Sequence, residues 1–450
     1  MVKSKNRPFT LFLCLLVSGF LILGPIFFIE YRARVYNNLE TEKKSDWKGV
    51  ITVWDYPRLD STDGTRYGWM TSKIKKFERD NPGVYIVFRP LNPKTGPLEL
   101  ETAARTKTYP DIAPVATEYA YISQNLLESV DPYLTGDEMN DYKVQALSAV
   151  RFDGKLWGFP WMMTTTTMLL NVDIFREKGV PIPKDGNWTY QEFVDTLTKL
   201  TYDRDGDGKN DVFGFNSYID LNNYNTWGII LSDGAEIFDD QSNYSFYGDK
   251  AQNGLKKLVD LKQVYGVTPN NFGKNSEKEA WDSFVKDRRV AVYPTGTWAI
   301  NVLEDLRRQG QGFEYAVVNF PIGDSGIPIS VANNVSAYGI FKQEDPKKLE
   351  MCVKFLKYVT EDQYQAELYK LGVFPAKKTV ENIYKNNRMM ARIEETMPYA
   401  KGLPRHPHWM TIDGILQSQI RQAVLGSKTV EEALNEARQK VESYLSLLEK

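Results

Sequence analysis

Val50-Ile51-Thr52-Val53-Trp54 is apolar or β-branched throughout, the pattern of a strand buried on both faces. Met70, Ile74 and Phe77 then recur at helical spacing, closed by Asn81-Pro82-Gly83. Tyr85-Ile86-Val87-Phe88 reads as a second strand. Strand, helix and strand over about 40 residues form a βαβ unit, which builds parallel sheet with right-handed crossovers. Asp111-Ile112-Ala113-Pro114-Val115 adds a third strand. Ligands of open α/β sheets lie beyond the carboxyl ends of the strands, here Asp55-Tyr56 and Thr117-Glu118-Tyr119.

Further along, Asp153-Gly154 stands between the β-favouring pairs Arg151-Phe152 and Leu156-Trp157 and predicts a hairpin turn. The strand leaving it carries no charge until Asp173, so it reads as buried on both sides and long enough to cross the molecule. Thr189 and Glu192 form a capping box before a helix with Phe193, Val194, Leu197 and Leu200 on one face. Residues 290–298, 315–321 and 331–340 read as strands, and from 346 onward helices dominate, over 347–360, 361–371 and 430–448. The stretch 372–375 interrupts them, and no internal repeat is visible. At 450 residues the chain has room for roughly two or three domains.

Phe9 to Ile29 is charge-free, flanked by Lys3, Lys5 and Arg7 before it and by Glu30, Arg32 and Arg34 after it. Its length of about 20 residues is what a helix needs to cross the hydrocarbon core. A signal peptide would have a shorter core and a small-residue cleavage site. A lipoprotein would have small residues before Cys14, where Phe12 and Leu13 stand. The expectation is an uncleaved single-pass membrane anchor at 9–29, with 1–8 cytoplasmic, 30–48 a charged tether, and the globular part extracellular.

Composition removes several function classes. The net charge of −2 lacks the basic excess of a nucleic-acid binder. Two histidines, His406 and His408, leave little for histidine-based catalysis or a histidine-rich metal site. No Gly-x-x-x-x-Gly-Lys-[Ser/Thr] occurs, and neither Gly-x-Ser-x-Gly nor His-Glu-x-x-His. A glycoside hydrolase or lyase needs only carboxylates, and Glu118 with Asp55 or Asp111 is a candidate pair. Cys14 falls in the anchor and Cys352 in an amphipathic helix, so no intramolecular disulfide is expected.

The most specific short motif is Asp203-Arg204-Asp205-Gly206-Asp207-Gly208-Lys209-Asn210-Asp211. Carboxylates at positions 1, 3, 5 and 9, with glycine at position 6, match an EF-hand-like calcium loop. Calcium is expected at Asp203, Asp205, Asp207 and Asp211 with the Lys209 carbonyl, as a structural ion. Position 12 is Gly214 rather than a bidentate Glu, which leaves a ligand to be found elsewhere.

The order of Phe152-Asp153-Gly154-Lys155-x-Trp157-Gly158-Phe159-Pro160, a polar-apolar strand, Asn171-x-Asp173-x-Phe175 and 187–193 resembles the extracellular solute-binding proteins of sugar ABC importers, the maltose-binding-protein-like family. Pro110-Asp111-Ile112, Gly296-Thr297-Trp298, 372–375 and 426–434 extend the resemblance over about 400 residues. It implies an α/β fold of two interleaved lobes with sugar held in the cleft between them, in a monomer that serves an ABC permease without catalysis. With crossings at 158–167, 291–298 and 331–340, one lobe would comprise 49–162 and 298–333, the other 163–297 and 334–450. Sugars present apolar C–H faces and outward hydroxyls, which call for flat aromatics and planar polar groups. Tyr56, Tyr119, Trp161, Trp227, Trp298 and Tyr338 are the candidates for stacking, and Arg58, Glu118, Asn225 and Asn333 for hydrogen bonds.

Overall fold

Strand β1 (Gly49–Asp55) alternates buried and part-exposed positions, with Ile51, Val53 and Asp55 inward. It pairs in parallel with β2 (Val84–Pro90) and β3 (Ile112–Ala113). The helix Gly68–Asp80 lies between β1 and β2 in the chain and drives Met70, Ile74 and Phe77 into the core. The computed structural model describes residues 47–239, 243–332, 335–397, 400–402, 404 and 406–448. The expected anchor and Asn333 lie outside the described residues. Among the described residues, no helix is long and apolar enough to cross a membrane.

The hairpin β4 (Arg151–Phe152) and β5 (Lys155–Leu156) turns at Asp153-Gly154, both with positive φ. Beyond it, β6 (Phe159–Met163) enters the first sheet and β7 (Thr166–Asn171) the second, so the chain passes between lobes at Thr164-Thr165. Gly158 lies where a Cβ would stand 2.3 Å from the Tyr338 carbonyl oxygen, which is why the motif carries glycine before β6. The second lobe adds β8 (Phe213–Phe215), β9 (Val290–Gly296) and β10 (Tyr315–Val318). Its sheet runs β10-β7-β9-β8. After β11 (Ser330–Ala332) the chain returns, and β12 (Val335–Ile340) pairs antiparallel with both β3 and β6. With β13 (Phe374–Pro375) the first sheet reads β13-β6-β12-β3-β1-β2. A short strand, β14 (Ala400–Gly402), pairs with β11.

These pairings redraw the expected lobe boundaries. Residues 315–318, expected in the first lobe, pair with β7 in the second sheet. Residues from 334 on were assigned to the second lobe, but β12 completes the first sheet. The helix Pro346–Val359 also buries Met351, Phe355 and Leu356 against Ile51 and Phe77 of the first. The 291–298 stretch is not a crossing, since β9 stays paired with β7 as far as Gly296. A strand buried on both faces carries no alternation in its sequence, so its pattern reports burial and not which sheet it joins. The last two helices, Trp409–Val424 and Val430–Leu448, do pack into the second lobe's core.

Both lobes are held to the crossing strands. Thr166 Oγ1 donates to Val331 O at 3.0 Å, Thr165 and Ser330 share a hydroxyl bond of 2.8 Å, and Thr297 N donates to Thr165 O at 3.3 Å. The helix Trp298–Arg308 leaves the second sheet and reaches the first lobe. Asn301 Nδ2 donates to Lys370 O at 3.0 Å and Arg308 Nη1 to Ser61 O at 2.8 Å.

Candidate functional site

At the carboxyl end of β1, Asp55 is buried and fully engaged. Its carboxylate accepts from Arg58 Nη1 at 2.9 and 3.0 Å, from Tyr56 N at 2.8 Å and from the Tyr338 hydroxyl at 2.6 Å. Arg58 also donates to Tyr56 O at 3.0 Å and lays its guanidinium over the Trp161 ring, 4.7 Å from the centroid. Trp161 stacks on Tyr338 at 5.5 Å and on Trp69 at 5.1 Å. Predicted residues from three separate segments therefore meet here. Trp161 is 1% exposed and Tyr338 0%, so both support Arg58 from beneath rather than meeting a ligand face to face. Aromatic character alone did not distinguish these two roles.

The second strand end carries Glu118, immediately before the helix Tyr119–Ser123. Among the described residues nothing donates a hydrogen bond to its carboxylate. The residue is exposed to water, and partial loss of hydration from the protein packed around its carboxyl pushes it up to about 7. Tyr56 and Tyr121 stand close enough for this charge to act on them. Burial first, then the Glu118 charge, raises both phenols well above their ordinary range, which keeps them as proton donors. Tyr119 is half-buried, tilted against Phe152 at 5.2 Å.

Across the crossing, Trp298 begins its helix with 48% of its surface exposed, backed by Trp281 at 5.3 Å. Asn225 is half-buried; its backbone N–H donates to Asn223 Oδ1 at 2.8 Å, and its own amide group makes no hydrogen bond among the described residues. Trp227 requires correction as a stacking residue. It is 0% exposed, in the second lobe's core against Phe246 at 5.4 Å, and no ligand can reach its face without unpacking that core. Residues missed in the sequence are Asp55 as the organiser of Arg58 and Tyr338, Trp69 as a stacking partner, and Trp281 behind Trp298. Asp55 had a signal, its place at a strand end. Trp69 and Trp281 lie in amphipathic helices and had none.

A two-carboxylate mechanism finds no second group here. Asp55 is neutralised by Arg58, while Asp111 accepts from Thr52 N and Oγ1 at 2.7 and 3.0 Å and pairs with Lys348 at 2.7 Å. Only Glu118 of the three has an unengaged carboxylate.

In the acidic loop, the carboxylates of Asp203, Asp205 and Asp207 offer oxygens within 4.8 Å of one another. Asp211 is not in that group, since its Oδ1 accepts from Arg204 N at 2.8 Å. Backbone N–H groups of Gly208 and Gly206 donate to Asp203 at 2.7 and 2.6 Å, and these bonds hold its carboxyl below the usual range.

A family model described as bacterial extracellular solute-binding protein matches residues 73–391. A binding protein of Brucella abortus is 23% identical over 381 residues, covering 82% of this chain and 88% of that protein. The galactooligosaccharide-binding protein of Bacillus subtilis is 22% identical over 409 residues, covering 88% and 89%. Among solved structures, an ABC substrate-binding protein of Listeria monocytogenes in complex with cycloalternan superimposes with a TM-score of 0.73 at 16% identity, over 89% of this chain and 100% of that one.

Proposed function

The chain belongs to the bacterial extracellular solute-binding proteins, and from that membership we propose that it captures a sugar or oligosaccharide between its lobes and delivers it to an ABC permease. Members of the family bind solutes and do not transform them. The observation that carries the sugar reading is Trp298, a half-exposed indole backed by a second indole beside the crossing strand, the flat face that a pyranose ring stacks on. Glu118, with Tyr56 beside it, supplies acceptors and donors whose side chains have no hydrogen-bond partner among the described residues, and Arg58 is held ready by Asp55. The ligands named for the Bacillus and Listeria proteins are saccharides, which supports the same class here. Closure of one lobe on the other would bury the sugar and present a new surface to the permease. Incubating the protein with an oligosaccharide panel and analysing the products tests the absence of chemistry: the sugars should be recovered intact. Turnover lost in Glu118→Gln would establish a hydrolase instead.

Two further readings accompany this one. We assign calcium to the loop of Asp203, Asp205 and Asp207 with the Lys209 carbonyl, and Asp211, whose Oδ1 accepts from Arg204 N, would have to join through its other oxygen. The support is the converging carboxylate oxygens, whose mutual repulsion a hard cation relieves. The ion would brace the turn between the helix Tyr190–Lys199 and β8. Residues 9–29 are assigned as the anchor that keeps the extracellular lobes at the membrane, on the length and flanking charges of the run. N-terminal sequencing of the membrane fraction should find the native start; a start near residue 30 or at Cys14 would contradict it.

A further inference from the structure

We propose that the second lobe holds another binding site, separate from the interlobe cleft, for a small organic anion with an apolar body. A cavity of about 310 Å3 opens where the loop of Ile182 and Lys184, the edge strand β10 and the helix Arg388–Thr396 meet. Its lining shares no residue with the site described above. Three cations, Lys184, Arg388 and Arg392, line it, and no carboxylate does.

The cations lack counter-charges. Lys184 and Arg388 make no side-chain hydrogen bond or ion pair among the described residues. Arg392 has a neutral partner, Val317 O, to which its Nη1 donates at 3.3 Å. Its guanidinium lies against Gly186, where a Cβ would stand 2.9 Å from Nη1, so the loop leaves room for that placement. Arg388 and Arg392 are four residues apart on one helix face, Arg388 at the end whose backbone N–H groups are already electropositive, and the first turn contains no acidic residue. Lys184 and Arg388 are exposed and Arg392 half-buried, so water screens their mutual repulsion in part, and an anion held among all three in the cavity would offset what remains.

The chemistry of the walls sets the ligand class. Arginine forks take carboxylate or phosphate oxygens in pairs, and Lys184 adds a point charge. Ile182, Val317 and Met389 line the remainder with hydrocarbon, Met389 being able to adapt to an irregular body. The volume lies at the small end of ligand sites, which suits a compact molecule.

The test is calorimetry on the full chain with hexanoate, hexyl phosphate and the neutral hexanol. Saturable binding of one or both anions is expected, the relative affinity identifying the headgroup, with no binding of hexanol. Arg388→Glu should weaken anion binding by roughly tenfold or more. The thermal midpoint should not fall, because Arg388 makes no side-chain bond in the fold and a glutamate at this helix N-terminus is favourable; Lys184→Glu serves as a second such variant. Failure of both anions to bind, equal binding by Arg388→Glu, or equal binding of hexanol would overturn the proposal.

Discussion

Trp227 and Trp298 show how one residue type acquires two roles. Both stand in segments rich in Gly, Thr and Asn, and no local feature distinguishes them. Exposure follows from long-range packing: Phe246 covers Trp227, while Trp298 emerges half exposed at a helix start with Trp281 behind it. Trp227→Ala should therefore destabilise the protein by about 3–5 kcal/mol, as large core truncations do, whereas Trp298→Ala should cost about 1 kcal/mol in lost ring contact. Chemical denaturation of the two variants checks this, and equal losses would contradict the assignment. Glu118 yields a pH prediction. Its carboxyl is raised to about 7, so its contribution to stability is present below the ordinary carboxyl range and is lost as pH rises through about 7. A carboxylate accepting sugar hydroxyls binds better when ionised, so affinity should rise through the same window. Glu118→Gln should flatten that profile in titrations at pH 6 and pH 8; a wild-type affinity independent of pH would argue against a Glu118 contact. Arg58 and Glu118 were legible because strand ends are where α/β sheets take ligands. The support that Asp55, Trp161 and Tyr338 give Arg58 was not, since it joins residues 283 positions apart.

Elements differ in how fully the sequence specifies them. The capping box at Thr189 forms as read, with Glu192 accepting from Thr189 N at 2.8 Å, because its chemistry is complete within four residues. The hairpin at Asp153-Gly154 is equally local. Strand assignment to lobes is not, and β10 and β12 exchanged places relative to expectation because nothing in a largely apolar strand names its partner. The acidic loop is an intermediate case. Spacing brings three of its carboxylates together, while Asp211 closes the turn on Arg204 N. Were calcium to bind there, saturating the site at about a hundredfold over Kd would add about 2.7 kcal/mol. Chelation should then lower the thermal midpoint of the wild type and leave an Asp205→Ala, Asp207→Ala variant unaffected. A wild type indifferent to chelator would leave the loop an acidic turn.

At the scale of the molecule, two sheets share interleaved sequence and are joined through strands that hydrogen-bond across Thr165, Thr166, Ser330 and Val331. Under the proposed function these strands are the hinge on which the two lobes would close as jaws over a bound sugar. The sites on either jaw are unequal: the first lobe presents charge and hydroxyls at Glu118, Arg58 and Tyr56, and the second presents the Trp298 face. A sugar, with its hydroxyl rim and apolar ring face, satisfies both at once. Titrating the protein calorimetrically with a panel of oligosaccharides, beside Trp298→Ala and Trp227→Phe, tests this account most directly. Saturable binding of at least one saccharide is expected, with Trp298→Ala weakened by roughly tenfold, the worth of one stacked ring, and Trp227→Phe close to wild type. No binding across the panel, or unchanged affinity in Trp298→Ala, would contradict a sugar held between the lobes against that face.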